Sequence, residues 1–144
     1  PRGNAATWFH EHGHLIDDMA KNISHASEYE SLLRSDYRSY MAAYGKVNNL
    51  KTFDKVQSAI SKDLNSMRKH SAVSDILEGL SDGNIRGVAG HGTDYWKKNS
   101  DALSSEAFAH MYEAQFDKTR HAEMQKYFPS ALKYFEDKLE EAVK

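Results

Sequence analysis

HEHGHLIDD, residues 10–18 of the chain, contains the most informative pattern in the sequence. It includes H-E-x-x-H, in which His10 and His14 are four residues apart. In an α-helix such residues lie on one face, about 6 Å apart along the axis, so both imidazoles can reach one metal ion. Glu11 follows the first histidine, where its carboxylate can take a proton from water and deliver it to a leaving amine. The spacing therefore predicts a metal-binding helix with a glutamate general base.

His10, His12 and His14 occupy every second position, so they could also lie along one face of a β-strand, and a strand would destroy the metal geometry. The apolar residues that follow recur at helical spacing, and the two aspartates are poor strand formers. We therefore predict a helix from Asn4 to about Lys21, with His12 turned away from the metal. Asp17 or Asp18 could fix the tautomer of His14 through a hydrogen bond, or both could belong to a solvated helix end.

The rest of the chain also has apolar residues at three- and four-residue steps, which is typical of amphipathic helices. Helices are expected over residues 27–44, 52–69, 73–80 and 104–118, with a last helix that begins near Pro129. Five of the eight glycines lie between Gly79 and Gly92, where they predict irregular backbone. At most one short hairpin would fit, near Ile85–Val88. The sequence predicts a mainly α fold with little or no sheet.

Length and composition exclude several classes of protein. The 144 residues suit a single domain, residues 1–144, with one core. The net charge of -2 argues against nonspecific nucleic-acid binding, and the absence of cysteine excludes disulfides, thiolate catalysis and cysteine-based zinc sites. No apolar run approaches the roughly 20 residues of a membrane span, and the signal-peptide pattern is absent. We expect a soluble protein with neither nucleic acid nor membrane as partner. Because the chain begins with Pro1, close to its main motif, we interpret it as part of a longer protein.

A third metal ligand must come from elsewhere, because a catalytic zinc site normally has three protein ligands and one open position for water. The candidates are Glu106, His110, Glu113, His91, His70 and His121. Glu106 and His110 are four residues apart and would share one face of a helix. If Glu106 binds the metal, His110 lies one turn further on as a partner of the site. The residues alone leave this choice open.

Two short motifs resemble those of the zincin metallopeptidases. HEHGHLIDD at 10–18 and SSEAFAHMYEAQF at 104–116 are similar to H-E-x-G-H-x-x-D-D followed by a helix of the form E-x-F-A, as in the lethal-factor metalloproteases. SDILEGLSDGNIRGVAGHGTDYWKKN at 74–99 resembles the zincin-like domain of phage minor head and head-morphogenesis proteins. The resemblance covers about Ala6 to Phe116. It implies a gluzincin-type peptidase with Zn²⁺ as cofactor, held by His10, His14 and Glu106.

This chain departs from the zincin pattern one turn after the ligand glutamate, where related proteins often have a carboxylate or an amide. Here that position is His110, which could orient Glu106 or replace it as the ligand. The lethal-factor group also has a tyrosine shortly before the glutamate that stabilises the developing oxyanion. Tyr95 is the nearest match, at a different spacing, and could instead simply pack with Trp96.

The remaining residues of the 74–99 stretch have several interpretations. His91, in the glycine-rich loop, could contact the oxyanion or the substrate, or be an exposed loop histidine. Asp75 and Arg86 are interpreted as structural. The 91 residues between His14 and Glu106 are expected to fold as helices behind the metal-binding helix.

The sequence therefore predicts a zinc-dependent peptidase that acts on a protein or peptide, with Glu11 as the base. The alternative is a phage head structural or assembly module in which zinc only staples the helices, with His91 or His110 as the fourth ligand. A third interpretation is a toxin-like effector that cleaves a host protein. The resemblance implies phage head proteins as partners and a location in the bacterial cytoplasm, as a prophage product, or in the virion.

Overall fold

The computed structural model describes residues 5–19, 27–66, 71–87, 90–99 and 101–142. These residues form eight α-helices and no strand, so the predicted mainly α fold is confirmed. The helices are α1 (Ala5–Met19), α2 (Ser27–Val47), α3 (Phe53–Ser66), α4 (Ser71–Leu80), α5 (Thr93–Lys98), α6 (Ala102–Ala114), α7 (Lys118–Tyr127) and α8 (Pro129–Ala142).

The helix predicted over 104–118 is shorter than expected at its C-terminal end. It stops at Ala114, and a separate helix, α7, follows after Asp117. The Asp117 carboxylate accepts hydrogen bonds from the backbone N–H groups of Thr119 at 2.9 Å and Arg120 at 3.2 Å. Because the backbone of Asp117 is extended and its side chain caps the next helix, the two helices cannot be continuous. The short helix α5 was also not predicted.

Helix α6 lies at the centre of the bundle. It contacts α1, α2, α4, α5, α7 and α8, and 11 of its 13 residues are buried. The ring of Phe108 packs edge-on against Phe135 of α8, with 4.8 Å between the ring centroids, and against Tyr29 of α2 at 6.5 Å. A helix enclosed on every face needs apolar or paired side chains all round. The two buried glutamates of α6, Glu106 and Glu113, therefore need polar partners.

Helix α4 is similarly enclosed, with every residue from Ala72 to Leu80 buried. It also holds two carboxylates, Asp75 and Glu78, inside the molecule. Beyond α4, residues 81–87 are turns and irregular backbone, so the described part of the predicted 85–88 hairpin does not form; residue 88 lies outside the described residues. A membrane span needs about 20 apolar residues, and none of the helices described here meets that requirement.

Helix α1 packs mainly against α6. The contact is close at Gly13, where a Cβ atom would lie 2.9 Å from Cα of Ala109 and 2.9 Å from Cβ of Tyr112. Those distances are shorter than real Cβ contacts, so only glycine lets the two backbones approach this far. The crossing at Gly13 therefore sets how closely α1 lies on the central helix.

Candidate metal centre

Helices α1 and α6 bring His10, His14 and Glu106 together. Nε2 of His14 lies 2.8 Å from Oε2 of Glu106, and Nε2 of His10 lies 3.4 Å from Oε1 of the same carboxylate. One ligand atom from each residue can be chosen so that all three atoms lie within 4.8 Å of one another. Two imidazole nitrogens and a carboxylate oxygen are donors that suit a divalent transition-metal ion. The three residues could therefore hold one such ion.

Electrostatic interactions favour the ionised form of the Glu106 carboxylate, which is the form that binds metal ions. Burial of Glu106 opposes ionisation, but hydrogen bonds from His10 and His14, and the charges of those imidazoles, outweigh it and hold the pKa of Glu106 well below its usual value. The same contact raises the pKa of His14 above its ordinary value, against the effect of burial, and the nearby Glu11 carboxylate adds to the rise. The cluster is held together by carboxylate–imidazole pairing.

His10 and His14 of α1 differ in how their second ring nitrogen is held. Nδ1 of His14 lies 3.3 Å from the hydroxyl oxygen of Ser105, the residue before Glu106. Such a hydrogen bond orients the ring and leaves Nε2 facing the carboxylate. Nδ1 of His10 is buried and has no hydrogen-bond partner among the described residues. The His10 ring is held instead by packing against His110, with 4.2 Å between the ring centroids.

His110 is occupied by carboxylates on both sides of its ring. Nε2 lies 2.8 Å from Oδ2 of Asp75, and Nδ1 lies 3.0 Å from Oε1 of Glu113, which also accepts a hydrogen bond from Arg120 at 3.3 Å. Burial lowers the pKa of His110, but the two carboxylates outweigh it and raise the pKa to about 9. The ring nitrogens of His110 are therefore paired with Asp75 and Glu113 rather than with Glu106, and the ring packs against His10. His110 can also be grouped with Asp75 and Glu106 as three potential ligands.

His91 approaches the cluster from the glycine-rich loop. Its Nδ1 lies 2.7 Å from Oδ1 of Asp75, and its Nε2 lies 3.2 Å from Oε1 of Glu106. The ring of Tyr95 stacks on it, with 4.2 Å between the ring centroids. Burial raises the pKa of the Tyr95 hydroxyl, and the charges of Glu106 and Asp75 raise it further, so this hydroxyl keeps its proton at neutral pH. Both sequence candidates for the oxyanion role thus lie beside the metal cluster.

Glu78 fixes the loop that contains His91. Its Oε1 accepts hydrogen bonds from the backbone N–H of Gly92 at 2.6 Å and from the indole N–H of Trp96 at 2.8 Å. At Gly90 a Cβ atom would lie 2.3 Å from Oε2 of the same carboxylate, so any other residue there would require the Glu78 carboxylate to shift. Arg86 ties the loop from outside by donating to the carbonyl of Gly83 and the hydroxyl of Thr93. Its predicted structural role agrees with these contacts.

Sequence reasoning missed what Asp75, Glu78 and Ser105 do. Asp75 was interpreted as structural, whereas its carboxylate joins His91 to His110 at the edge of the cluster. A signal was present in the sequence, because two carboxylates three residues apart in the apolar segment 72–80 need buried partners. Ser105 gave no such signal.

Other candidates lie away from the cluster or outside the described residues. Nε2 of His121 lies 2.8 Å from Oε2 of Glu136. His12, as predicted, turns away from the cluster of His10, His14 and Glu106, and its Nδ1 lies 3.0 Å from the hydroxyl of Tyr112. His70 and the side chain of Asp18 lie outside the described residues; Asp17 is buried. The Glu11 carboxylate is exposed and makes no hydrogen bond or ion pair with the described part of the chain.

Comparison with known proteins identifies no relative of this chain. The chain matches no family model, no curated protein and no solved structure. The description of the site therefore depends on its own geometry: two imidazoles and a buried carboxylate from two crossing helices, with a further histidine and tyrosine alongside.

Proposed function

We propose that the chain is a zinc-dependent peptidase with a zincin-like site. Its sequence resembles the zincin-like domain of phage minor head proteins. The observation that supports this most directly is the convergence of His10 and His14 from α1 with Glu106 from α6. These three residues would be the zinc ligands. A zinc ion held there would polarise a peptide carbonyl and lower the pKa of water from about 15.7 toward 7.

Glu11 is the residue we assign as general base. It follows the first ligand histidine on α1, and its carboxylate is exposed and without a protein partner in the described residues. Its charge acts on His14, which places it within electrostatic range of the cluster. A free carboxylate beside the cluster can accept the proton of the attacking water and pass it to the leaving amine.

We assign His91 and Tyr95 the role of contacting the carbonyl oxygen of the peptide bond that is cleaved. Both lie on one edge of the cluster, and the Tyr95 hydroxyl keeps its proton, so it can donate a hydrogen bond where negative charge develops. Their stacked rings would also limit the entry of water on that side.

The proposal is tested by metal analysis combined with a cleavage assay on a mixed peptide library. His14→Ala and Glu106→Ala should lose zinc, whereas Glu11→Gln should retain one zinc per chain and lose turnover. Glu28→Gln, which changes an exposed glutamate in the first turn of α2, is the matched control and should keep both properties. If Glu106→Ala retains zinc, the third ligand is wrongly assigned; if Glu11→Gln cleaves as well as wild type, the peptidase proposal fails.

A second candidate function is a phage head assembly module in which zinc only staples the helices. It is supported by the position of His91, because its Nε2 is 3.2 Å from Glu106 and could close the fourth coordination position. X-ray absorption of the zinc-loaded protein distinguishes the two. Three protein ligands and a light-atom solvent ligand favour the peptidase, and a third imidazole favours the staple. The toxin-like effector shares the chemistry of the peptidase and differs only in cleaving a host protein.

A further inference from the structure

Asp75 is the buried carboxylate between the loop and the central helix. Its side chain is 5% exposed, and its two oxygens face different imidazoles, Oδ1 toward His91 at 2.7 Å and Oδ2 toward His110 at 2.8 Å. A carboxylate fixed between two rings has little freedom to rotate, and it fixes the rotation of each ring in turn. The orientation of His91 at the metal cluster is therefore set from α4.

The backbone of the His91 loop is fixed by the same helix. Glu78, one turn after Asp75, accepts hydrogen bonds from Gly92 and Trp96, on the C-terminal side of His91. The stacked ring of Tyr95 covers a face of the imidazole, and the ring of Trp96 meets it edge-on at 5.5 Å. His91 is thus contacted by Asp75, Tyr95 and Trp96, while 38% of its side chain is exposed.

The Nε2 side of the His91 ring faces the cluster. Its Nε2 lies near Oε1 of Glu106, which His10 also approaches, yet His91 does not belong to the three-residue group of His10, His14 and Glu106. A group beside the ligands, with one ring nitrogen held and the other directed at the site, is suited to contact a ligand oxygen.

We infer that Asp75 is a positioning residue: it holds His91 so that Nε2 hydrogen-bonds an oxygen of an oxyanion-type ligand, such as a hydroxamate or carboxylate, bound at the cluster. This inference rests on the metal site of the proposed function but not on peptide cleavage. His91 is the group that touches the ligand, and Asp75 acts through it.

The test uses the cobalt-loaded full chain and acetohydroxamate, with binding followed by the visible absorption of Co²⁺. Asp75→Asn and His91→Ala should each retain one Co²⁺ per chain and bind acetohydroxamate about tenfold more weakly, as expected for one misplaced or lost hydrogen bond. In the His91→Ala background, Asp75→Asn should cause no further loss, because it acts through the missing ring. A purely structural effect of Asp75 would not disappear in that background.

Asp36→Asn is the matched control. Asp36 is also a buried aspartate, and its Oδ2 accepts a hydrogen bond from the backbone N–H of Ala131 in α8, away from the cluster. This variant should bind acetohydroxamate like wild type. Glu78→Gln provides a second route if Asp75→Asn does not fold, since it releases the loop without changing Asp75, and it should also weaken acetohydroxamate binding.

Three results would overturn this inference alone. The first is an unchanged affinity for acetohydroxamate in Asp75→Asn or, where that variant does not fold, in Glu78→Gln. The second is loss of Co²⁺ from Asp75→Asn, which would make Asp75 a metal ligand. The third is a further loss of affinity when Asp75→Asn is added to His91→Ala. A wild-type chain that binds no Co²⁺ overturns both this inference and the metal site. A chain that meets the binding expectations but cleaves no peptide overturns only the peptidase.

Discussion

At the scale of single residues, the site depends on Gly13 as much as on its ligands. Gly13 lies on α1 between His10 and His14 and against Ala109 of α6, so it determines the distance between these two helices. His10 and His14 can reach Glu106 because the residue of α1 that faces Ala109 has no side chain. The glycine of the H-E-x-G-H motif therefore has a packing role that the chemistry of the motif does not reveal.

Gly13→Ala should destabilise the protein by about 1–3 kcal/mol, the usual cost of forcing an extra methyl group into a packed contact. It should also weaken metal binding, because the new Cβ meets backbone and Cβ atoms of α6 that can yield only if the helices separate. Urea unfolding and zinc titration measure the two effects.

Gly45→Ala in α2 is the control for that substitution. Its new Cβ would meet the end of the Val56 side chain at 3.1 Å, which can shift, so metal binding should remain unchanged. Equal zinc affinity in Gly13→Ala and wild type would show that the close crossing is not needed for the site.

At the scale of helices, two of the starts are fixed by side chains that hydrogen-bond the backbone. Asp117 caps α7 through Thr119 and Arg120, and Glu78 holds the segment that leads into α5. Apolar spacing could predict the positions of the long helices, because each buries one continuous face. It could not predict α5 or the break before α7, since six residues are too few to establish a period and a cap depends on local backbone geometry.

The same reasoning explains which parts of the site were predictable. His10, Glu11 and His14 follow from spacing within one helix, and Glu106 was implied by the family resemblance. The pairing of Asp75 with His91 and His110 joins three separate segments, so no local pattern contains it. Such contacts become visible only when α4, α6 and the loop are seen packed together.

Removal of the α7 cap should cost stability without affecting the site. Asp117→Ala is expected to lower the free energy of unfolding by about 1 kcal/mol, because two backbone N–H groups lose their acceptor. Asp117→Asn should cost only a fraction of that, since asparagine caps helices nearly as well. Chemical denaturation of both variants is the measurement. An equal loss in the two would mean that the negative charge near Arg120, rather than the cap, is what stabilises this turn.

Trp96→Phe should loosen the short helix α5. The substitution removes the indole N–H that Glu78 accepts at 2.8 Å and leaves a buried carboxylate with one partner fewer, at a cost of about 1–3 kcal/mol. Hydrogen exchange in residues 90–98 should increase, while the centre of α6 stays protected. Unchanged exchange in that segment would mean that the Gly92 contact alone holds the loop.

At the scale of the whole molecule, α1 is attached at one side of a bundle whose centre is α6. Its main packing partner is α6, whereas the core formed by α2, α4, α6, α7 and α8 has many mutual contacts. Two of the three proposed zinc ligands lie on α1 and the third lies on α6. A bound metal would therefore connect α1, which has few other packing partners, to the buried helix α6. The free energy of metal binding would then stabilise α1 against local unfolding.

Chelation of the metal should therefore loosen α1 selectively. Hydrogen exchange of residues 5–19 should become faster by at least about tenfold when zinc is removed with EDTA, because local opening loses a contribution of a few kcal/mol from the metal. Helix α3 is the internal control: its main contact is with α2, and its described residues belong to none of the potential ligand groups, so its exchange should not change. The His14→Ala variant should exchange like the chelated wild type, with or without zinc. If zinc removal accelerated exchange in α3 and α1 alike, the metal would support the whole core, and if it accelerated neither, the ligands on α1 would not be bound to the ion.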